Sequence, residues 1–241
     1  MIPTLLEYLA GALIGYVFGA FPTGYFVGRL WHVDVRKHGS GRTGGTNVLR
    51  TAGWGAFALT AFGDLSKGII AVLIVRFLFP TLHGAHALTV LGVLIGHNWS
   101  LWIALLAKPD PRATYAHTPL GWIQHLAVQG RGGAGVAVTV GAVVALFPPV
   151  LILAPIPLVV LLIWRYASVG SMTVAVLFPF EMFYFWANGY APWSYFALAV
   201  VVCVIILLVH IPNIQRLRAG TEKRFGERLG RKPRDSTPQD A

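Results

Sequence analysis

The chain has 241 residues, 56% hydrophobic and only 12% charged, with a mean hydropathy of +0.65. That is too much apolar sequence for a soluble domain of this size and predicts an all-α integral membrane protein. A formal charge of +10 would suggest nucleic acid in a soluble protein, but Lys and Arg gather in the breaks between apolar runs and in the tail, so no nucleic-acid partner is expected.

A helix needs about 20 mostly apolar residues to cross a bilayer core. Residues 5–28 provide the first such run, and Glu7 stands where a signal peptide would carry a cation, so a retained span is expected. Directly behind it, residues 39–50 read GSGRTGGTNVLR. Here Gly39, Gly41 and their neighbours offer backbone N–H groups, while Ser40, Thr43 and Thr46 offer hydroxyls. Asn47 adds an amide, and Arg42 and Arg50 add guanidinium groups. The set suits an anion held at a membrane surface; the competing reading is a turn whose arginines only orient the chain. Its formal GxGxxG match carries no dinucleotide meaning, because no strand precedes it and no βαβ unit can follow.

The second span, 55–79, contains Asp64 and Lys67, three apart on one helix face, which reads as a buried pair fixing helix packing near a site. The third, 84–105, contains His97 and Asn98; with no second ligand at metal spacing, a hydrogen-bonded structural histidine is expected. A basic break then leads to a second glycine-rich run, Gly130-Arg131-Gly132-Gly133-Ala134-Gly135-Val136. It fits either an anion site at a helix start or tight helix packing. Residues 133–164 carry Pro148-Pro149 at their middle and form one kinked helix or two short ones. Arg165, Ser168 and Ser171 follow, then spans 171–188 and 193–211, and finally His210 and Asn213, three apart at a helix end. Cys203, the single cysteine, lies in an apolar run, so neither a disulfide nor a cysteine metal cluster is available, and no metal or cofactor is expected.

Charge bias chooses between the two counts. The tail after Ile214 is basic and belongs on the cytoplasmic side. Two helices in 133–164 give seven spans, an outside N-terminus and a cytoplasmic C-terminus, and place the basic breaks 29–53 and 107–132 inside; Arg76 is then the single cation in an outer connection. On this topology the polar breaks at 39–50, 130–137, 165–171 and 210–222 share one face and can build one site. Residues 1–222 form the membrane domain and 223–241 a basic tail suited to anionic lipid.

Taken together, these breaks resemble the bacterial acyl-phosphate:glycerol-3-phosphate acyltransferase family of the PlsY type. GSGRTGGTNVLRTAG is similar to that family's GSGNPGATNVxRxxG, preceded by a PxGY-like Pro22-Thr23-Gly24-Tyr25. Asp64, Lys67 and Gly68 match DxxKG, and Gly96, His97 and Asn98 match GHN. Arg165, Tyr166, Ser168 and Ser171 match RYxSxxS, and His210, Asn213, Ile214, Arg216, Leu217, Gly220, Thr221 and Glu222 match HxxNIxRLxxGTE. Two departures stand out: the second lysine of the family's KGGKG loop is Ala134, and extra residues including Lys108 to Arg112 lengthen the break before it.

The resemblance implies transfer of a fatty acyl group from acyl phosphate to the first hydroxyl of glycerol-3-phosphate by a monomer in the bacterial inner membrane. It implies catalytic roles for Ser40, Arg50, His210 and Asn213. Substrate binding would fall to Gly39, Gly41, Arg42, Thr46, Asn47, Arg131, Gly132, Gly133, Gly135, Ser168 and Ser171, with Arg42 replacing the missing lysine charge. Without a Ser-His-Asp set, positioning and charge stabilisation are expected rather than a covalent acyl-enzyme. The alternatives are a related acyltransferase with a changed donor or acceptor, and a non-catalytic lipid-phosphate binder.

Overall fold

A computed structural model describes residues 4–106 and 128–227, together with Gly121 and Gln124 between them. Among these residues every named element is helical, and one isolated β-bridge joins Trp99 to Arg131. The first apolar run is α1 (Leu5–Ala20) and α2 (Thr23–Leu30), separated at Pro22, which has no N–H to continue the helix. A short 3-10 turn, Val35–Lys37, leads to α3 (Gly45–Ala52) and the long α4 (Trp54–Leu78). Then come α5 (His83–Asn98), the short α6 (Leu101–Leu106) and α7 (Val136–Leu146). The 3-10 segment Pro148–Leu153 connects α7 to α8 (Pro155–Trp164). The chain closes with α9 (Ala167–Ala187), α10 (Trp193–Val209) and α11 (Ile211–Arg218).

Helices in lipid gain little from hydrophobic segregation and pack where small residues let backbones meet. The α1–α5 seam shows this. A Cβ on Gly15 or Gly19 would strike the Thr89 or Val93 carbonyl, and one on Gly92 or Gly96 would strike the Ala12 or Tyr16 carbonyl. The pairings climb together along both helices, so α1 and α5 run parallel. The same holds for α4 and α7. Gly68 abuts the Val138 carbonyl and Gly141 the Leu65 carbonyl, while nearer the other end Arg76 caps the Ala145 and Leu146 carbonyls of α7.

The core lies between α4, α5, α7, α9 and α10, filled by Val72, Val90, Leu94, Val138, Met182 and Ile206. The outer faces remain apolar. Phe77 is 85% exposed, and α8 buries none of its residues while displaying Leu158, Leu162 and Ile163. A helix that is apolar and uncovered is matched to lipid.

Among the described residues three runs can cross a membrane by length and composition, Leu5–Leu30, Trp54–Leu78 and Ala167–Ala187, with a fourth if Trp193–Val209 and Ile211–Arg218, bent by 52°, count as one. The expected span 84–105 is instead broken at Trp99-Ser100. There the Ser100 hydroxyl donates to the Ala20 carbonyl at 2.5 Å and its N–H to the Gly130 carbonyl at 2.8 Å, contacts that leave the helical ladder. The run 133–164 is likewise two short helices, separated at Pro148-Pro149 as those prolines predict. Most of the lengthened break and the end of the tail lie outside the described residues.

Candidate active site

The glycine-rich break at 39–50 folds around one side chain. The Asn47 amide nitrogen donates to the carbonyls of Val35 (2.8 Å), His38 (3.1 Å) and Arg42 (2.8 Å), and its oxygen accepts the Ser40 N–H at 3.1 Å. Gly39 and Gly41 turn the chain with φ of +60° and +69°. Asp34 braces the entrance through a 2.9 Å ion pair with Arg36, and that guanidinium holds the Asp34 carboxyl below its ordinary range against the opposing effect of burial. The loop thereby presents the side chains of Ser40, Arg42, Thr46 and Arg50 to a cavity of about 410 Å³.

The second glycine break rests on a buried ionic cluster. Lys67 Nζ lies 2.8 Å from Asp64, 2.8 Å from His97 Nδ1 and 2.9 Å from the Phe21 carbonyl, which leaves the helical ladder at the Pro22 break and also accepts the Thr23 N–H at 3.0 Å. An ammonium can only donate, so His97 Nδ1 accepts and its Nε2 carries the ring proton. That nitrogen supports Gly133, where a Cβ would collide with it; at Gly132 a Cβ would collide with the His97 carbonyl. Gly135 takes φ +85° to start α7. Arg42 then ties the two loops together, donating to the Gly133 carbonyl at 2.8 Å and to Val209, at the end of α10, at 3.3 Å. Burial, with smaller contributions from Arg131 and Arg216, lowers the Arg42 pKa to about 10, which still leaves a cation at neutral pH.

The third wall centres on Glu222. Its carboxylate accepts from Ser168 Oγ (3.0 Å), Asn213 Nδ2 (2.9 Å) and Arg216 Nε (2.6 Å). Burial raises its pKa, but these donors outweigh burial and leave the pKa below its ordinary value. Arg50 is 7% exposed and donates to the Lys223 carbonyl at 3.1 Å, while its Nε has no partner. Burial depresses its pKa, and Glu222 opposes that shift. His210 Nδ1 sits 2.8 Å from the Ile206 carbonyl, which can only accept, so Nδ1 carries the proton and Nε2 is left as an acceptor.

Of the residues singled out from sequence, Ser40, Arg42, Thr46, Asn47, Arg50, Arg131, Gly135, Ser168, Ser171, His210 and Asn213 all line the cavity, with Ala134 among them. Gly39, Gly41, Gly132 and Gly133 do not line it; they shape the two loops behind it. Arg165 is exposed at the end of α8 and stays out. Arg216 and Glu222 belong to the wall although the sequence reading assigned them no role beyond the closing motif. Asp64 and His97 line the cavity's base. A second, apolar groove of about 220 Å³ adjoins the first, sharing Val136, Pro157 and Val174 with it and running between α7 and α9.

A family model described as glycerol-3-phosphate acyltransferase matches residues 9–107 and 114–220, nearly the whole membrane region. The chain belongs to this family. Among curated glycerol-3-phosphate acyltransferases, one from Rubrobacter xylanophilus is 39% identical over 94% of this chain and 98% of its own length. Another, from a strain of Thermus thermophilus, is 37% identical over 90% and 94%. The fold is similar to crystal structures of PlsY (YgiH), an integral membrane glycerol 3-phosphate acyltransferase. The glycerol 3-phosphate form superposes with a TM-score of 0.71 at 28% identity, covering 91% of this chain and 96% of that one. The lysophosphatidic acid form gives 0.69, covering 91% and 95%.

Proposed function

We propose that the chain transfers a fatty acyl group from acyl phosphate to the first hydroxyl of glycerol-3-phosphate, yielding lysophosphatidic acid and phosphate. One observation carries this reading: a cavity walled by Arg42, Arg50, Arg131 and Arg216 opens onto an apolar groove. Two phosphate-bearing substrates, one with a long tail, are what such a combination accepts.

The hydroxyl oxygen attacks the acyl carbonyl carbon, the bond from that carbon to the phosphate oxygen breaks, and the hydroxyl proton leaves with the departing phosphate. Arg50, buried with its Nε unpaired, neutralises the charge that develops there. Ser40 and Asn213 orient phosphate oxygens, and His210 Nε2 accepts from the incoming glycerol-3-phosphate and aligns it. Arg42, Thr46, Arg131, Ser171 and the N–H groups near Gly135 bind the two headgroups. Asn47, with its amide committed within the loop, and Ser168, committed to Glu222, act by holding their segments in place. Arg42 supplies beside Ala134 the charge that the family's lysine provides elsewhere.

The seven-span topology, with the N-terminus outside and the C-terminus cytoplasmic in the bacterial inner membrane, is part of the same proposal, as is a monomer. The parallel direction of α1 with α5 and of α4 with α7 supports it, because helices two crossings apart must point the same way. The test is lysophosphatidic acid formation by the purified protein with glycerol-3-phosphate and palmitoyl phosphate, run beside palmitoyl-CoA and the Arg50→Ala variant. Product from the acyl phosphate alone, lost in the variant, is expected; product from the thioester alone would overturn the donor assignment.

A further inference from the structure

The apolar groove contains a carboxyl that the chemistry above does not use. Glu181 is 8% exposed, sits in the lipid-spanning part of α9, and lines the groove with one oxygen, Oε1, lacking any partner; the Leu153 backbone N–H lies against the carboxyl. Thr139 Oγ1, on the facing α7, lines the same groove and is likewise unpaired. An ionisable group at such depth is costly in a membrane protein and is retained where it acts.

Its position follows from helix geometry. Ser171, Val174, Phe178 and Glu181 form one stripe on α9 that begins in the polar cavity and continues along the groove. At 1.5 Å per residue, Glu181 lies about 15 Å below Ser171, the reach of a medium-length extended acyl chain. Leu151 and Leu153 of the 3-10 connection line the groove as well, so the carboxyl stands where the chain turns back.

Given the acyl-phosphate reading above, on which this inference depends, we propose that Glu181 is a polar end-stop that sets the preferred length of the donor's acyl chain. A methyl terminus that ends before Glu181 leaves the carboxyl free to bind water. A longer chain must either strip that carboxyl of its solvent or bend out of the groove, and each costs binding. The chain length accepted is thus decided by where a buried oxygen begins, rather than by a wall of side chains.

The test compares kcat/KM for lauroyl, palmitoyl and stearoyl phosphate in the full-length protein and in Glu181→Met, which keeps the length of the side chain and removes its polarity. The ratio of stearoyl to lauroyl turnover is expected to rise about tenfold in Glu181→Met and to stay at the wild-type value in Glu181→Gln. Leu177→Phe, which narrows the groove closer to the headgroups, is the second variant and is expected to favour lauroyl phosphate. An unchanged ratio in Glu181→Met, with Leu177→Phe shifted, would overturn the end-stop while leaving the groove as the chain's seat. No shift in either would remove the groove from the reaction, and no turnover with any acyl phosphate would sink the underlying reading instead.

Discussion

Replacing Arg42 with alanine isolates the cation proposed above to supply the charge missing at Ala134. The guanidinium is mostly withdrawn from water, bridges the Gly133 and Val209 carbonyls, and remains protonated at neutral pH with a pKa of about 10. A phosphate seated with its charge about 5 Å away, at an effective permittivity of about 20, gains about 3 kcal/mol from one such cation. Discounted for the solvent that reaches an open cavity, Arg42→Ala should raise KM for glycerol-3-phosphate roughly 30- to 150-fold while changing kcat less. Initial rates of lysophosphatidic acid formation across a range of glycerol-3-phosphate give both constants. Adding Ala134→Lys to Arg42→Ala should recover at least about tenfold of the lost affinity, because the charge returns from the neighbouring loop. An unchanged KM in Arg42→Ala, in protein that still unfolds cooperatively, would refute the argument. So would a full loss that Ala134→Lys does not relieve, since that would assign Arg42 to loop packing.

The pH dependence carries its own sign. Burial has lowered the Arg42 pKa, so the cation is lost as pH rises through about 10, and glycerol-3-phosphate affinity measured between about pH 7 and 10.5 should weaken at the alkaline end. Glu222→Gln keeps one acceptor oxygen for Ser168 and Asn213 but removes the charge and the oxygen that accepts from Arg216, and should cost about 1–3 kcal/mol of stability, read as a lower melting temperature in detergent. Because the folded Glu222 pKa is depressed, its stabilisation is present above the unfolded carboxylate range and fades as pH falls through the folded value; the variant should flatten that acid-side decline. Gly133→Ala drives a methyl into the His97 imidazole and should lower activity with about 1–3 kcal/mol of destabilisation, whereas Ala134→Gly, one residue on, should leave melting nearly unchanged. In a Cys203→Ser background, Asn188→Cys should react with an impermeant maleimide in intact cells and Lys37→Cys should not; the reverse pattern would invert the proposed topology.

Much of the site could be read from residue types because its loops are local. Gly39 to Arg50 is contiguous, and Ser40, Arg42, Thr46 and Arg50, singled out there as polar groups, do line one cavity. Asp64 and Lys67 sit three apart, so their pairing follows from one helical turn, and Pro148-Pro149 marks its own break. What residue types alone do not carry depends on contacts between distant segments. Trp99-Ser100 reads as helix until the Ser100 hydroxyl finds the Ala20 carbonyl. Asn47 looks like a ligand for substrate until its amide is seen to serve three loop carbonyls. By sequence Glu222 is only the last residue of the closing motif, and the fold alone brings Ser168 to it. The groove beside Glu181 has no sequence signature at all, since its lining is drawn from α7, the 3-10 connection, α8, α9 and α10, whose apolar residues look like any other lipid-facing stretch.

Two helices that lie side by side and point the same way cannot be joined by a short turn, so α1 and α5 meet only after α4 has been made between them. During synthesis the glycine stripe of α1 therefore waits in the bilayer with bare backbone and no partner until the chain has grown past Gly96. The Phe21 carbonyl meets Lys67 earlier, once α4 is made, but the ionic cluster is completed only when His97 arrives with the shelf it provides for the glycine loop. The pocket is thus timed by the ribosome: a nascent chain arrested before α5 holds all of the first glycine loop but neither the His97 shelf nor the second glycine loop that closes on it. Such a fragment should be a substrate for membrane quality control rather than a slow enzyme.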